Sequence, residues 1–205
     1  NDILFVENLT KEGYFENLSF TVGREDKIGI VGRNSKAISV LYDVLMGKET
    51  ADSGYYKWGK TITPTYLPVD NDEYFVGCDL SLVDWLSRYS YDHYEEFVRG
   101  WLARMLFSGE ESQKKASVIS GGEKVRCMLA KMMLEGGNFM ILDEPTNHLD
   151  LESITALNDG LVAFKGCLLM TSHDRELMNT VCNRVIEIDG GKKVYDRPVD
   201  YDTYL

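Results

Sequence analysis

The segment NFMILDEPTNHLD, residues 138–150, sets two adjacent carboxylates, Asp143 and Glu144, at the end of an apolar run. If that run is a strand of a parallel sheet, the acids stand at its carboxyl edge, where ligands of such sheets bind. Asp143 is then able to hold a magnesium ion, directly or through water, and Glu144 to polarise an attacking water. About twenty residues earlier, ISGGEKVRCMLAKMML places Gly121 and Gly122 ahead of Val125, Met128, Leu129, Met132 and Met133, which recur at helical spacing. A bare helix N-terminus offers backbone N–H groups to an anion, and Ser120 adds a hydroxyl donor. Taken alone, Ser-Gly-Gly before a helix is more often an N-cap than a binding site. In LLMTSHD, His173 follows another apolar run. A lone histidine there is usually structural, but beside the two acids it is placed to donate to a transferring phosphate or to the attacking water.

A fourth stretch, KIGIVGRNSKAIS at 27–39, begins like a nucleotide-binding strand and phosphate loop and then departs from one. In the pattern G-x-x-x-x-G-K-[ST] anchored on Gly32, the second glycine falls on Ala37, the lysine on Ile38 and the hydroxyl on Ser39. The missing lysine removes a charge-assisted phosphate contact worth roughly 1.5–3 kcal/mol, or about 10- to 100-fold in binding. Lys36 lies two positions early and would have to reach back from a different place.

These residues need a scaffold of strands that end at one edge. Residues 3–9 and 17–22 read as two antiparallel strands joined by a turn, and KIGIVG as a strand buried on both faces. Ala37, Ile38, Leu41, Val44 and Leu45 predict a helix over 36–46, stopped by Gly47. SGYYKWG and TITPTYLP read as two further strands. Residues 79–134 carry helical periodicity with almost no strand signal. Strand, turn and helix then alternate again: a strand into Asp143, a helix over about 151–161, a strand into Thr171, a short helix from Arg175, and a hairpin around Gly190 and Gly191. An α/β core with an inserted helical segment fits this order, with a core and β lobe over approximately 1–75 and 136–205 and helices over 76–135.

Composition narrows the classes. With 44% apolar and 27% charged residues the chain reads as an ordinary soluble globular protein, long enough for one large domain or two small ones sharing an interface. A formal net charge of −11 argues against gripping nucleic acid through bulk positive potential, so any RNA contact needs a local basic patch or segments outside this chain. No apolar run reaches the roughly 18 residues of a membrane span and no signal peptide is evident, so a cytoplasmic location is expected. Cys78, Cys127, Cys167 and Cys182 form no metal-type pair and read as small hydrophobes in a reducing compartment.

Taken jointly, SGGEKVR, ILDEPTNHLD and TSHD resemble the signature motif, the Walker B motif with D-loop, and the switch histidine of ATP-binding cassette ATPases. The resemblance covers essentially the whole chain. It implies a P-loop NTPase core with an antiparallel β lobe and an inserted helical subdomain. PTNHLD at 145–150 and the tail PVDYDTYL are similar to the soluble ABC-F proteins, whose chains carry two cassettes, act at the ribosome and need no membrane partner. TYLPVDNDEYF with RGWLARMLFSGEE resembles the second, C-terminal cassette of that group. The resemblance implies ATP and Mg2+ as ligands, Glu144 and His173 as catalytic groups, and Ser39 and Asp143 as magnesium holders. It implies a nucleotide loop of Gly32, Arg33, Asn34, Ser35, Lys36, Ala37, Ile38, Ser39 and Val40, with Tyr14 or Phe15 as the aromatic platform for adenine. It assigns Ser120, Gly121, Gly122 and Glu123 to the nucleotide of a partner cassette, in the same long chain or in a homodimer, and Asp150 to the D-loop.

The departures are as informative. The loop glycines of the family fall on Ser35 and Ala37, and the expected glutamine after TYLP falls on Val69, with Asp70 next. If positive φ is needed in the loop, each side chain costs about 1–2 kcal/mol there and the loop takes another path. The leading expectation is an ATPase cassette whose own site is weak. The alternatives are a non-catalytic, nucleotide-dependent dimerisation module and a transporter's ATP-binding subunit.

Overall fold

The computed structural model describes residues 2–92 and 94–205. Strand β1 (Leu4–Lys11) pairs antiparallel with β2 (Phe15–Val22) and, on its other side, with β4 (Ser53–Trp58), giving a three-stranded lobe in the order β2-β1-β4. The strands run further into the first turn than the polar residues predict, leaving only Glu12–Tyr14 between them. Between β2 and β4 lie β3 (Lys27–Val31) and helix α1 (Ser35–Leu45). Strand β5 (Pro64–Leu67) does not pair with β4. It forms the edge of a second sheet and runs parallel to β6 (Phe139–Asp143).

That second sheet has the order β5-β6-β7-β3-β8-β9, where β7 is Cys167–Thr171, β8 is Arg184–Asp189 and β9 is Lys192–Arg197. The first five strands are parallel and β9 returns antiparallel. Gly190 and Gly191 make the two-residue turn between β8 and β9, with φ of 58° and 78°, which a tight hairpin of matching twist requires. Residues 82–134 hold α2 (Leu82–Ser87), α3 (Glu95–Arg104) and α4 (Gly121–Leu134), with no strand among the described residues there. Helices α5 (Leu151–Ala163), α6 (Arg175–Val181) and α7 (Tyr201–Tyr204) complete the chain. No helix among the described residues is long and apolar enough to cross a membrane.

The apolar runs of β6 and β7 are buried at every position because cores form on both faces of the sheet. Met140, Leu142, Leu168 and Met170 face one core, shared with Trp85, Leu102 and Met128 of the helical segment. Phe139, Ile141 and Leu169 face the other, shared with α1 and with Leu4 and Phe20 of the lobe. This period-two division fixes the register of the strands, and hence which residues emerge at the carboxyl edge.

Candidate active site

Strand β6 delivers Asp143 to the carboxyl edge, and α1 brings Ser39 against it: Ser39 Oγ donates to Asp143 Oδ2 at 2.5 Å. Burial pushes the Asp143 carboxyl up to about 6, against the pull of the Ser39 hydrogen bond and with help from the neighbouring Glu144 charge. At Glu144 the backbone turns into the left-handed region, φ 52°, and its N–H donates to the Thr171 carbonyl at 2.8 Å. A non-glycine residue in that region stores strain of order 1 kcal/mol, and here it aims the carboxylate off the strand line. Glu144 is 8% exposed, yet neither carboxylate oxygen has a hydrogen-bond partner among the described residues. His173 Nε2 approaches Oε1 to 3.1 Å, off the direction of a hydrogen bond, from a side chain that is itself 85% exposed. Burial raises the Glu144 carboxyl and the adjacent imidazole opposes that rise.

Beneath these acids lies a polar layer. Thr171 Oγ1 donates to the Ile30 carbonyl at 3.0 Å. Its single proton being used, it must accept from the Tyr42 hydroxyl at 2.5 Å. Thr146 and Ser172 share a hydroxyl hydrogen bond of 3.0 Å, tying the turn after Glu144 to the turn that carries His173.

These groups open on a cleft of about 630 Å³ lined by Ser35, Lys36, Ser39, Asp143, Glu144 and His173, and also by Asp43, Tyr66, Val69, Asp70, Glu73 and Lys48. Five carboxylates therefore face two amines. Lys48 is 4.0 Å from Glu73 and lies over the Tyr66 ring, 5.3 Å from its centroid, so Lys36 is the amine left near the loop. Asp43 and Tyr66, whose hydroxyl donates to Asp43 Oδ1 at 2.9 Å, went unnoticed in the sequence. The signal for Asp43 was available: Ser35, Ser39 and Asp43 lie four apart and so share one helical face.

The loop after β3 departs from the glycine pattern of the family. Only Gly32, Arg33 and Asn34 separate β3 from α1, and none of residues 32–39 has positive φ. The helix starts at Ser35 because Asn34 caps it, its side chain accepting from the Ala37 N–H at 3.1 Å. One of the free helix-terminal donors is thereby used internally. Ala37, Ile38 and Val40 face the core, with Ile38 at 1% exposure. Gly32, Arg33 and Asn34 stand outside the cleft lining. Tyr14 also lies away from it, in the β1–β2 turn, and Phe15 is buried in the lobe core. Of the expected loop, Ser35, Lys36 and Ser39 reach the cleft.

The second constellation lies elsewhere. Ser120 caps α4 in a reciprocal pair: its Oγ accepts from the Glu123 N–H at 3.2 Å while Glu123 Oε1 accepts from the Ser120 N–H at 3.1 Å. Lys114 Nζ holds the other Glu123 oxygen at 2.9 Å. Ser120 is exposed, and its N–H and hydroxyl together with Lys114 hold the Glu123 carboxyl below its usual range, so Glu123 is committed internally. A Cβ on Gly122 would stand 2.4 Å from the His148 carbonyl oxygen, and one on Gly121 would meet the His148 ring at 3.5 Å. The two glycines thus let α4 close onto the turn after β6, where His148 has φ 67°. Asp150 caps α5 by accepting from the Ser153 N–H at 2.8 Å, and hydrogen bonds from the Ser153 hydroxyl and then this N–H hold its carboxyl below the usual range. None of Ser120–Glu123 lines the acidic cleft.

A serine–aspartate pair and an unpartnered buried carboxylate form a hard oxygen set that suits a magnesium ion, with its remaining ligands drawn from phosphate and water. No group of three or more His, Cys, Asp or Glu side chains placed to hold a metal occurs among the described residues.

The chain is 57% identical over its whole length to the uncharacterized ABC transporter ATP-binding protein YkpA of Bacillus subtilis (strain 168), of which it covers 39%. It is 32% identical, over 94% of its length, to the energy-dependent translational throttle protein EttA of Escherichia coli (strain K12), of which it covers 36%. It thus spans well under half the length of these curated relatives. Among solved structures, the ATP-binding cassette MJ0796, a dimer in a post-hydrolysis state bound to ADP and Pi, superposes with a TM-score of 0.81 over 96% of this chain and 98% of that one. At 12% identity that likeness is one of fold. The family described as ABC transporter matches residues 15–147, more than half of the chain. The chain belongs to the ABC transporter family of ATP-binding cassettes.

Proposed function

We propose that this chain is one cassette of an ABC-F type, two-cassette ATPase acting in the cytoplasm on the translation machinery, and that its clearest contribution is to the partner cassette's nucleotide. The carrying observation is the separation of two constellations. Ser39, Asp143, Glu144 and His173 line one cleft, from which Gly32, Arg33 and Asn34 are absent, while the exposed Ser120 at the start of α4 lies outside it. Within this reading the whole chain is one domain, with helices over 76–135 inserted in the α/β core.

Ser39 and Asp143 would hold magnesium, which when bound neutralises phosphate charge. Glu144, once its buried carboxylate turns into the cleft, accepts a proton from the attacking water, and His173 beside it orients that water or a phosphate oxygen. Ser35 and Lys36 reach the phosphates in place of a loop lysine. The translation link draws on EttA, whose name carries that role, and on PTNHLD and the C-terminal tail.

The test is ATP turnover and ribosome co-sedimentation of the chain joined to its companion cassette. Ser120→Arg is expected to abolish most turnover, and Glu144→Gln to leave most of it. The reverse pattern, or turnover by the lone chain at the joined protein's rate, overturns the division of labour. Absence of ATP-dependent co-sedimentation overturns the ribosomal role.

A further inference from the structure

A cleft of about 650 Å³ on the β lobe, separate from the acidic cleft, inverts the charge of the molecule. Arg24, Lys57 and Lys60 line it together with Phe5, Tyr55 and Trp58, and Asp2 is the one carboxylate in its lining. In a chain of net charge −11, three cations against one lining acid is a local reversal, with Glu7, paired opposite Tyr55 and hydrogen-bonded to its hydroxyl, just beyond the lining. Each cation is uncommitted: among the described residues none of the three makes an ion pair or hydrogen bond. Several cations elsewhere are drawn into pairs, as with Lys48, Lys114, Lys124, Lys131 and Arg184, so what sets this patch apart is three unpaired cations lining one cleft.

The rings have a definite arrangement. Along the outer face of the lobe, Phe5 stands opposite Lys57 on β4 and Thr21 on β2. The Phe5 and Tyr55 rings lie 5.7 Å apart at 41°, and Tyr55 is 52% exposed. Trp58 is held from below, its indole N–H donating to the Leu45 carbonyl at 3.0 Å and its ring meeting Phe139 at 4.8 Å. It belongs to the inner face of the lobe and borders the cleft at the strand end, whereas Tyr55 and Phe5 supply the rings of the outer face. Strand β4 is the free edge of its sheet, so the patch is open along one side.

Uncommitted cations beside exposed aromatic faces match a ligand that alternates phosphate with flat bases. We propose that this patch binds a short single-stranded segment of RNA, with one base stacked on Tyr55 against Phe5 and the flanking phosphates taken by Arg24, Lys57 and Lys60. The choice of RNA over DNA rests on the translation-linked reading above. The stacking site itself does not, because it shares no residue with the nucleotide cleft.

The experiment is fluorescence anisotropy of labelled decauridylate with the 205-residue chain, titrated at several salt concentrations. Three phosphate contacts predict a slope of log affinity against log salt of about −2. Tyr55→Ala is expected to weaken binding about 5- to 150-fold, as loss of one stacked base does, while Tyr55→Phe retains it. Lys57→Glu is expected to weaken binding more than about tenfold and to flatten the salt slope. Both side chains are exposed, so thermal melts should match the native chain, and Lys57→Glu should leave nucleotide binding unchanged. Saturable binding that ignores both substitutions places RNA elsewhere and overturns the assignment, as does no saturable binding at low salt. Equal competition by polyglutamate overturns the stacking element. Equal binding of an oligodeoxythymidylate of the same length, with the same Tyr55→Ala loss, overturns the choice of RNA while leaving the ATPase reading intact.

Discussion

Putting the family's lysine back into the loop by Ile38→Lys is expected to fail, for a reason that lies in the structure. Ile38 is 1% exposed and packs within the core shared by α1 and the lobe. Replacing it forfeits roughly 1.5–3 kcal/mol of burial, and the lysine stem must leave the core to keep its ammonium hydrated. A total loss of about 2–4 kcal/mol follows, or a fall of about 1–2 M in the urea midpoint at an m-value near 2 kcal/mol/M. Nucleotide affinity should change by less than about threefold, because α1 already begins at Ser35 and the new ammonium has no cradle to complete. Adding Ser35→Gly and Ala37→Gly shortens the helix from its N-terminus and frees the loop, and the triple variant should bind ATP about 10- to 100-fold more tightly than the native chain. Urea unfolding followed by circular dichroism and titration with a fluorescent ATP analogue read both quantities. A single Ile38→Lys variant that keeps its stability and gains tenfold in affinity refutes the reasoning.

Asp143, held near 6 against an unfolded value of 3.8, is protonated more readily in the folded state, so its contribution opposes folding as pH rises through that window. Asp143→Asn should therefore stabilise the nucleotide-free chain by about 2–3 kcal/mol at pH 7.5 and by little at pH 4, as read by urea melts at the two pH values. Gly122→Ala pushes a methyl group onto the His148 carbonyl and should cost about 1–3 kcal/mol, where an exposed glycine-to-alanine change at a helix start would cost nothing; calorimetric melting checks this. Tyr42→Phe removes the donor to Thr171 and should cost about 1–1.5 kcal/mol with the fold unchanged, measured by the same unfolding assay.

The acid-bearing strand, its helix and the switch turn were readable because buried parallel strands write continuous apolar runs, and residues 139–142 and 167–170 are such runs. The hairpin at Gly190 and Gly191 was readable from its turn chemistry. What escaped was placement decided across the chain. SGYYKWG and TITPTYLP look alike as strands, but β4 joins β1 and β5 joins β6, a choice made by partners far away in sequence. The aromatic platform expected at Tyr14 or Phe15 does not reach the cleft, since the alternation of β2 turns Phe15 inward and the turn carries Tyr14 away. Asp43 and Tyr66 meet only after α1 packs beside β5, and no local pattern foretells that pair.

The closeness of Gly122 to the His148 carbonyl has a mechanical meaning. Backbone pressed on backbone resists approach steeply but offers little resistance to separation, so the contact can push and cannot pull. An inward thrust on the N-terminus of α4 is passed to the turn that follows Asp143 and Glu144, whereas an outward movement simply opens a gap. The joint is a one-way coupling, and it works through shape alone, whatever the state of the cleft beside it.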